Sequence, residues 1–192
     1  MKFVKFLATI DAVKCNGDRL CESICPTGAI RVEDKTAIVD ANLCRACRKC
    51  FDVCRQGAVA MIQRQEPLVI EVDPETADEA DIIALCEKAH LFPEQPICAC
   101  TLTPTKEAAA AILKGARTPE ELSAQTGVRT GCGIYCMGVI QRLLAAHGIE
   151  LSPPANHRWY KLPLSVWDIS DEVDRRHPGY HIADDKKLYT QK

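Results

Sequence analysis

Cys44, Cys47, Cys50 and Cys54 are spaced C-x2-C-x2-C-x3-C, four thiols within eleven residues. Thiolates are soft donors that hold iron or zinc, so the run reads as a metal site. The chain carries 12 cysteines in 192 residues, far more than packing alone uses. A secreted disulfide scaffold is the competing chemistry. The opening segment MKFVKFLATIDAVKC interrupts its apolar residues with Lys5 and Asp11 and shows no small-residue cleavage site, so it does not read as a secretory leader. A reducing cytoplasm and metal binding are therefore expected. No apolar run approaches the ~18 residues of a membrane span, and a net charge of −2 supplies no basic field for nucleic acid.

A second stretch, CNGDRLCESICP from Cys15 to Pro26, repeats the run at an offset of 29 residues. Cys15 falls on Cys44, Cys21 on Cys50 and Cys25 on Cys54, while Asp18 takes the position of Cys47. Gly28-Ala29-Ile30 likewise matches Gly57-Ala58-Val59. Such agreement points to a duplication, which places Asp18 at a ligand position.

These two runs resemble the bacterial-type ferredoxin with two [4Fe–4S] clusters, over about residues 1–66. The resemblance implies that each run supplies three ligands to one cluster and sends its fourth to the other. Set I would then be Cys15, Asp18, Cys21 and Cys54. Set II would be Cys44, Cys47, Cys50 and Cys25. Cys25 is followed by the expected proline, Pro26, whereas Cys54 is followed by Arg55. A carboxylate at Asp18 is a harder donor and holds iron less firmly than a thiolate. Either Asp18 ligates a [4Fe–4S] cluster, or it is a solvated loop residue beside a [3Fe–4S] one. Arg45, Arg48, Lys49 and Arg55 crowd set II against a lone Asp52; they form either a solvated face or a docking patch. Positive charge there would raise the cluster's potential.

Four further cysteines follow as Cys98-x-Cys100 and Cys132-x3-Cys136. Zinc would suit four thiolates. With the segment AILKGARTPEEL and the tetrad TGCG, however, the pattern resembles the [2Fe–2S] domain of bacterioferritin-associated ferredoxin, over about residues 95–148. That resemblance implies a [2Fe–2S] cluster on Cys98, Cys100, Cys132 and Cys136, with a [4Fe–4S] cluster or zinc as the alternatives. Three residues, Gly133-Ile134-Tyr135, separate the last two cysteines where the family usually has two. Cys132 is expected near a helix N-terminus, where free N–H groups favour a thiolate. Cys86, alone on an apolar stripe, reads as a packing residue.

The elements that must position these groups are legible in outline. VKFLATIDAV is β-rich, AIRVE and TAIVD flank Asp34-Lys35 as a hairpin, and AVAMIQ is another strand. Each cysteine run would cap a short helical turn. Beyond Glu66-Pro67 an acidic stretch offers a strand-like LVIEV and a helical ADEADIIALCEKA. Thr103-Pro104 opens an alanine-rich helix closed by Gly115. Thr118-Pro119-Glu120-Glu121 forms a capping box for a helix ended by Gly127, and a third helix follows Gly133 up to Gly148. His177 and His181, separated by Pro178-Gly179, read as surface residues.

The expected fold is α+β, with four parts. Residues 1–66 form a ferredoxin-like two-cluster domain of short β-hairpins and helical turns. Residues 67–94 are an acidic connector, and 95–150 a small all-α [2Fe–2S] domain. An extended tail, 151–192, opens at Pro153-Pro154, carries both tryptophans and is expected to dock on a partner. No nucleophile–base pair, phosphate loop or nucleotide fingerprint is present. The expected function is therefore a non-catalytic iron–sulfur electron-transfer subunit. It would relay single electrons between a soluble carrier and a partner oxidoreductase of flavin, molybdenum or tungsten type, in an anaerobic or oxygen-limited cytoplasm. The alternatives are a redox or iron-status module that binds an iron-storage or metal-handling protein, and a zinc-stapled adaptor.

Overall fold

The computed structural model describes residues 1–152, 162 and 164–190. Pro153-Pro154, His157, Trp159 and Tyr160, on which the start of the tail was placed, lie outside the described residues. The chain divides into two compact units, Met1–Trp159 and Tyr160–Lys192.

The first unit opens with the duplication made visible. Strand β1 (Lys2–Ile10) leads to the turn at Asp11, whose Oδ1 accepts the N–H groups of Val13 and Lys14. After the first cysteine run comes helix α1 (Leu20–Ile24), then strands β2 (Ile30–Glu33) and β3 (Thr36–Val39). Asp40 repeats the turn 29 residues on, its Oδ1 accepting from Asn42 and Leu43. Helix α2 (Lys49–Val53) and strand β4 (Val59–Ile70) complete the second copy.

Both helices start from an arginine in the left-handed region, Arg19 at φ 61° and Arg48 at φ 65°. Matching residues also share backbone bonds: Cys15 N–H reaches Asp11 O at 3.0 Å, and Cys44 N–H reaches Asp40 O at 3.0 Å. The two halves therefore build the same loop twice from the same local hydrogen bonds.

Pairing then closes the pseudo-symmetric pair. β1 runs antiparallel to β4 with Ile10 opposite Val59, and β2 runs antiparallel to β3 with Ile30 opposite Val39. Asp34 and Lys35 join β2 to β3, both at positive φ, as a two-residue hairpin turn of that twist requires. The core beneath is small side chains and sulfur: Ala8, Ala29, Ile30, Val32, Ala37 and Val59 with Cys21, Cys25, Cys44 and Cys50.

β4 runs straight through the boundary expected at residues 66 and 67. Helix α3 (Glu79–Lys88), capped by the Asp78 carboxylate, belongs to the next core rather than to a spacer. That core gathers α3, strand β5 (Pro96–Cys98), helix α4 (Thr105–Leu113), helix α5 (Pro119–Thr126) and helix α6 (Tyr135–Ala146). A short strand β6 (Thr103–Pro104) pairs with β5, so this part is not purely helical. The capping box forms as expected, with Thr118 and Glu121 exchanging hydrogen bonds and Gly127 closing α5 at φ 80°. Ala108 to Ala111 are fully buried on α4, which lets α3, α5 and α6 approach it closely. Cys86 is 0% exposed in this core, a packing residue on α3.

Lys2 ties the two cores together. Its ammonium donates to Thr103 Oγ1 at 3.0 Å, Glu107 Oε1 at 2.6 Å and Thr126 O at 2.6 Å.

The second unit corrects the expectation of an extended tail. Among its described residues a capping box at Ser165 and Asp168 starts a 3-10 turn, followed by helix α7 (Asp171–Arg176) and helix α8 (Ile182–Thr190). Acidic residues in the first turn of α7 and Arg175 and Arg176 in its last turn complement the helix dipole. Local charge and capping thus fold a segment whose apolar residues are too sparse for a core: none of its described residues is buried. His177 and His181 are exposed, and His181 Nδ1 lies 3.6 Å from Asp184.

The alanine surface of α4 sets a stability prediction. Ala110→Leu should overpack the helical core and cost about 1–3 kcal/mol, and Thr118→Ala should cost about 1 kcal/mol through the lost cap. Urea unfolding followed by far-ultraviolet circular dichroism measures both.

Candidate metal centres

The residues of set I share one pocket. Cys15, Asp18, Cys21 and Cys54 line one small pocket, with Ile10, Val32, Ala37 and Val59 supplying apolar walls. Gly17 (φ 70°) holds the loop down: a Cβ there would stand 2.6 Å from the Lys35 Cα, so this loop rests directly on the β2–β3 turn. Asp18 Oδ1 accepts the Leu20 N–H at 3.1 Å, which orients the carboxyl at the start of α1. Burial pushes the Cys21 thiol up to about 11, and negative charge on Cys15 and Asp18 adds to the rise. Arg19 and Glu22 form a 2.8 Å ion pair behind it, with Arg19 also donating to Val32 O.

The residues of set II are electrostatic neighbours of one another. Cys50 is pushed up to about 12 by burial and then by its neighbours Cys47, Cys25 and Cys44. Cys47 is raised by burial and by Cys25 and Cys44, against the lowering effect of Lys49. Cys25 therefore stands with the second run, and Cys54 with the first. Backbone N–H groups aim at both of these sulfurs: Ala29 N–H at Cys25 Sγ, 3.2 Å, and Ala58 N–H at Cys54 Sγ, 3.4 Å. Arg64, on β4, clamps the loop by donating to Ala41 O at 2.6 Å and Cys44 O at 3.2 Å.

The last four cysteines meet in two pairs. Cys98 and Cys136 are hydrogen-bonded through their side chains. Burial raises Cys136 to about 11. Burial also acts to raise Cys98, but hydrogen bonds from Thr101, the Arg129 N–H and Cys136 outweigh it and hold that thiol below its ordinary value. Cys100 and Cys132 are exposed, and the Cys132 N–H donates to Cys100 Sγ at 3.4 Å. Gly131 permits this approach, since a Cβ there would stand 2.3 Å from the Cys100 Cβ. The N–H groups of Ile134 and Tyr135, at the start of α6, bring Cys132 down to about 7. The three-residue spacing before Cys136 therefore delivers two backbone donors to one sulfur.

All twelve cysteines are free thiols. Among the described residues no three His, Cys, Asp or Glu side chains close on a single-ion position. The thiols instead stand in groups, and several sulfurs receive N–H bonds. Soft donors and hydrogen bonds to sulfur suit an iron–sulfur group, whose potential such bonds tune.

Several positioning residues carried no sequence signal of their role. The basic residues around set II were expected as a solvated face or a docking patch, yet two of them engage the helical half of the same unit. Arg45 Nε donates to Ala124 O at 2.6 Å, and Lys49 Nζ lies 3.4 Å from Cys132 O. Arg48 instead covers the Phe51 ring at 5.1 Å. Arg129, between a 2.9 Å ion pair with Glu120 and the carbonyl of Pro26, also belongs to this contact.

Comparison with known families agrees with the two resemblances. No curated protein and no solved structure matches the chain. Residues 8–31 match the 4Fe-4S binding domain family, a span that contains Cys15, Asp18, Cys21 and Cys25. Residues 96–146 match the BFD-like [2Fe-2S] binding domain, a span that contains Cys98, Cys100, Cys132 and Cys136. The chain thus joins a 4Fe–4S binding domain to a BFD-like 2Fe–2S binding domain, and such domains carry electrons.

Proposed function

We propose that this protein is an iron–sulfur electron-transfer subunit. It relays single electrons between a soluble carrier and a partner oxidoreductase and performs no substrate chemistry itself. One observation carries the proposal: eleven thiols and one carboxylate gather in three neighbourhoods of a single compact unit. Cys15, Asp18, Cys21 and Cys54 would hold the first group, and Cys25, Cys44, Cys47 and Cys50 the second. Cys98, Cys100, Cys132 and Cys136 would hold a [2Fe–2S] group. Each such group, when bound, accepts and releases one electron.

The third neighbourhood is where a partner's redox centre would approach. Cys100 and Cys132 face solvent, flanked by Leu102, Ile134 and Tyr135, which are 79%, 74% and 87% exposed. Apolar side chains so exposed beside a redox group suit a contact that excludes water. The folded tail supplies a second contact, with Trp167 and Tyr180 as aromatic anchors.

Three measurements test these assignments. Anaerobically isolated protein should contain about 10 iron and 10 acid-labile sulfide per chain; about half of that would remove a whole ligand domain. Truncation at Pro154 should leave the iron content unchanged and abolish co-purification with the partner enzyme. Bleaching of the visible absorption would instead make the tail a structural cover. Finally, oxidised wild-type protein should show the electron paramagnetic resonance (EPR) signal of a [3Fe–4S] cluster that ferrous iron and reductant diminish, because the Asp18 oxygen holds its iron weakly. Asp18→Cys should abolish that interconversion. A wild-type cubane that resists oxidation as the variant does would exclude a redox role for Asp18.

A further inference from the structure

We propose that Lys49 serves two ligand sets at once, holding set II against the [2Fe–2S] domain and placing one positive charge between them. The inference rests on the three-group assignment above and adds the order in which the groups adjoin.

Lys49 directly precedes Cys50 on α2, so its backbone belongs to the second cysteine run. Its side chain leaves that run, and Nζ stops 3.4 Å from the carbonyl oxygen of Cys132, 83 residues away. Gly133 makes room for it: a Cβ at that position would meet Nζ at 3.0 Å and Cε at 3.3 Å. The ammonium attracts negative charge on Cys47 and on Cys132 alike.

Two other cations fasten the same junction from either side. Arg45, between Cys44 and Cys47, bonds Ala124 O at 2.6 Å. Arg129 turns its backbone N–H toward Cys98 and Cys136, while its guanidinium reaches Pro26 O, next to Cys25, at 3.3 Å. Cys50 thus neighbours a lysine that reaches the third set itself, Cys25 neighbours a carbonyl held by Arg129 beside that set, and Cys44 and Cys47 flank an arginine bonded to α5. The set I pocket, by contrast, is lined only by residues between Ile10 and Val59. Sets II and III are therefore the adjoining members, and set I is the outer one.

Positive charge stabilises the reduced state of a nearby cluster. A lysine from the ferredoxin-like half should therefore influence the potential of a group bound in the other half. Full-length protein is purified anaerobically as wild type, Lys49→Gln, Lys49→Arg and Lys35→Gln, and redox titrations are followed by EPR. The [2Fe–2S] signal, which persists on warming after those of cubane clusters have broadened away, reports the third set. Lys49→Gln should shift the [2Fe–2S] midpoint downward together with that of one cubane cluster. Lys49→Arg should keep both at the wild-type values, and Lys35→Gln, which removes a charge from the β2–β3 turn beneath set I, should leave the [2Fe–2S] midpoint unmoved. The proposal is overturned if Lys49→Gln retains its iron with an unmoved [2Fe–2S] midpoint, or if that midpoint moves alone. It is equally overturned if Lys49→Arg fails to restore the potential, or if Lys35→Gln lowers it as much. A wild-type protein with no [2Fe–2S] signal would instead remove the cluster assignment on which the proposal stands.

Discussion

Buried sulfur is the constraint on which the rest of this structure depends. In the N-terminal half, four cysteines occupy positions that larger aliphatic side chains fill in an ordinary core, among alanines and short β-branched residues. Burial disfavours their charged form and is the largest cause that raises Cys21 and Cys50 to about 11 and 12, neighbouring negative charge adding to it. Thiolates at such positions need a positive partner, and a bound metal ion would supply one. The short helices α1 and α2, five residues each, are too brief to be stable alone. They are held by the turns at either end.

The C-terminal half of the unit solves its packing differently. Its core is aliphatic, built on the alanine face of α4 with Leu122, Ile140, Leu143 and Leu144 fully buried. Only Cys98 and Cys136 of its site lie inside that core, while Cys100 and Cys132 remain at the surface. Stability and chemistry are therefore partly separated in this half, whereas in the N-terminal half they share the same atoms. Exposure also changes the chemistry of the thiols. Cys132 falls to about 7 because two backbone N–H groups serve it outside the core.

Joining two halves of such different construction falls to cations that donate to backbone carbonyls. Lys2 reaches Thr126 O, Arg45 reaches Ala124 O, and Arg129 reaches Pro26 O. Charge-assisted bonds of this kind are stronger than neutral ones, and carbonyl acceptors do not depend on the identity of the partner side chain.

Sequence alone determined whatever rests on short-range geometry. The 29-residue repeat, the Asp34-Lys35 hairpin turn, the Thr118 capping box and the pairing of Asp18 with Cys47 are all local patterns, and backbone bonds within a few residues enforce them. The two cluster-binding resemblances rest on the same kind of spacing. Tertiary structure decided the rest. It drew α3 out of an acidic connector and into the helical core, because the apolar stripe of Ile82, Leu85 and Cys86 finds its partners only once α4 and α6 have assembled. It turned Arg45 and Lys49 from an undifferentiated basic face into a junction and added Arg129 to it, through contacts spanning 79, 83 and 103 residues. A carbonyl acceptor leaves no trace in the sequence, since every residue has one. Which carbonyl a distant arginine or lysine meets is settled only when the two cores dock.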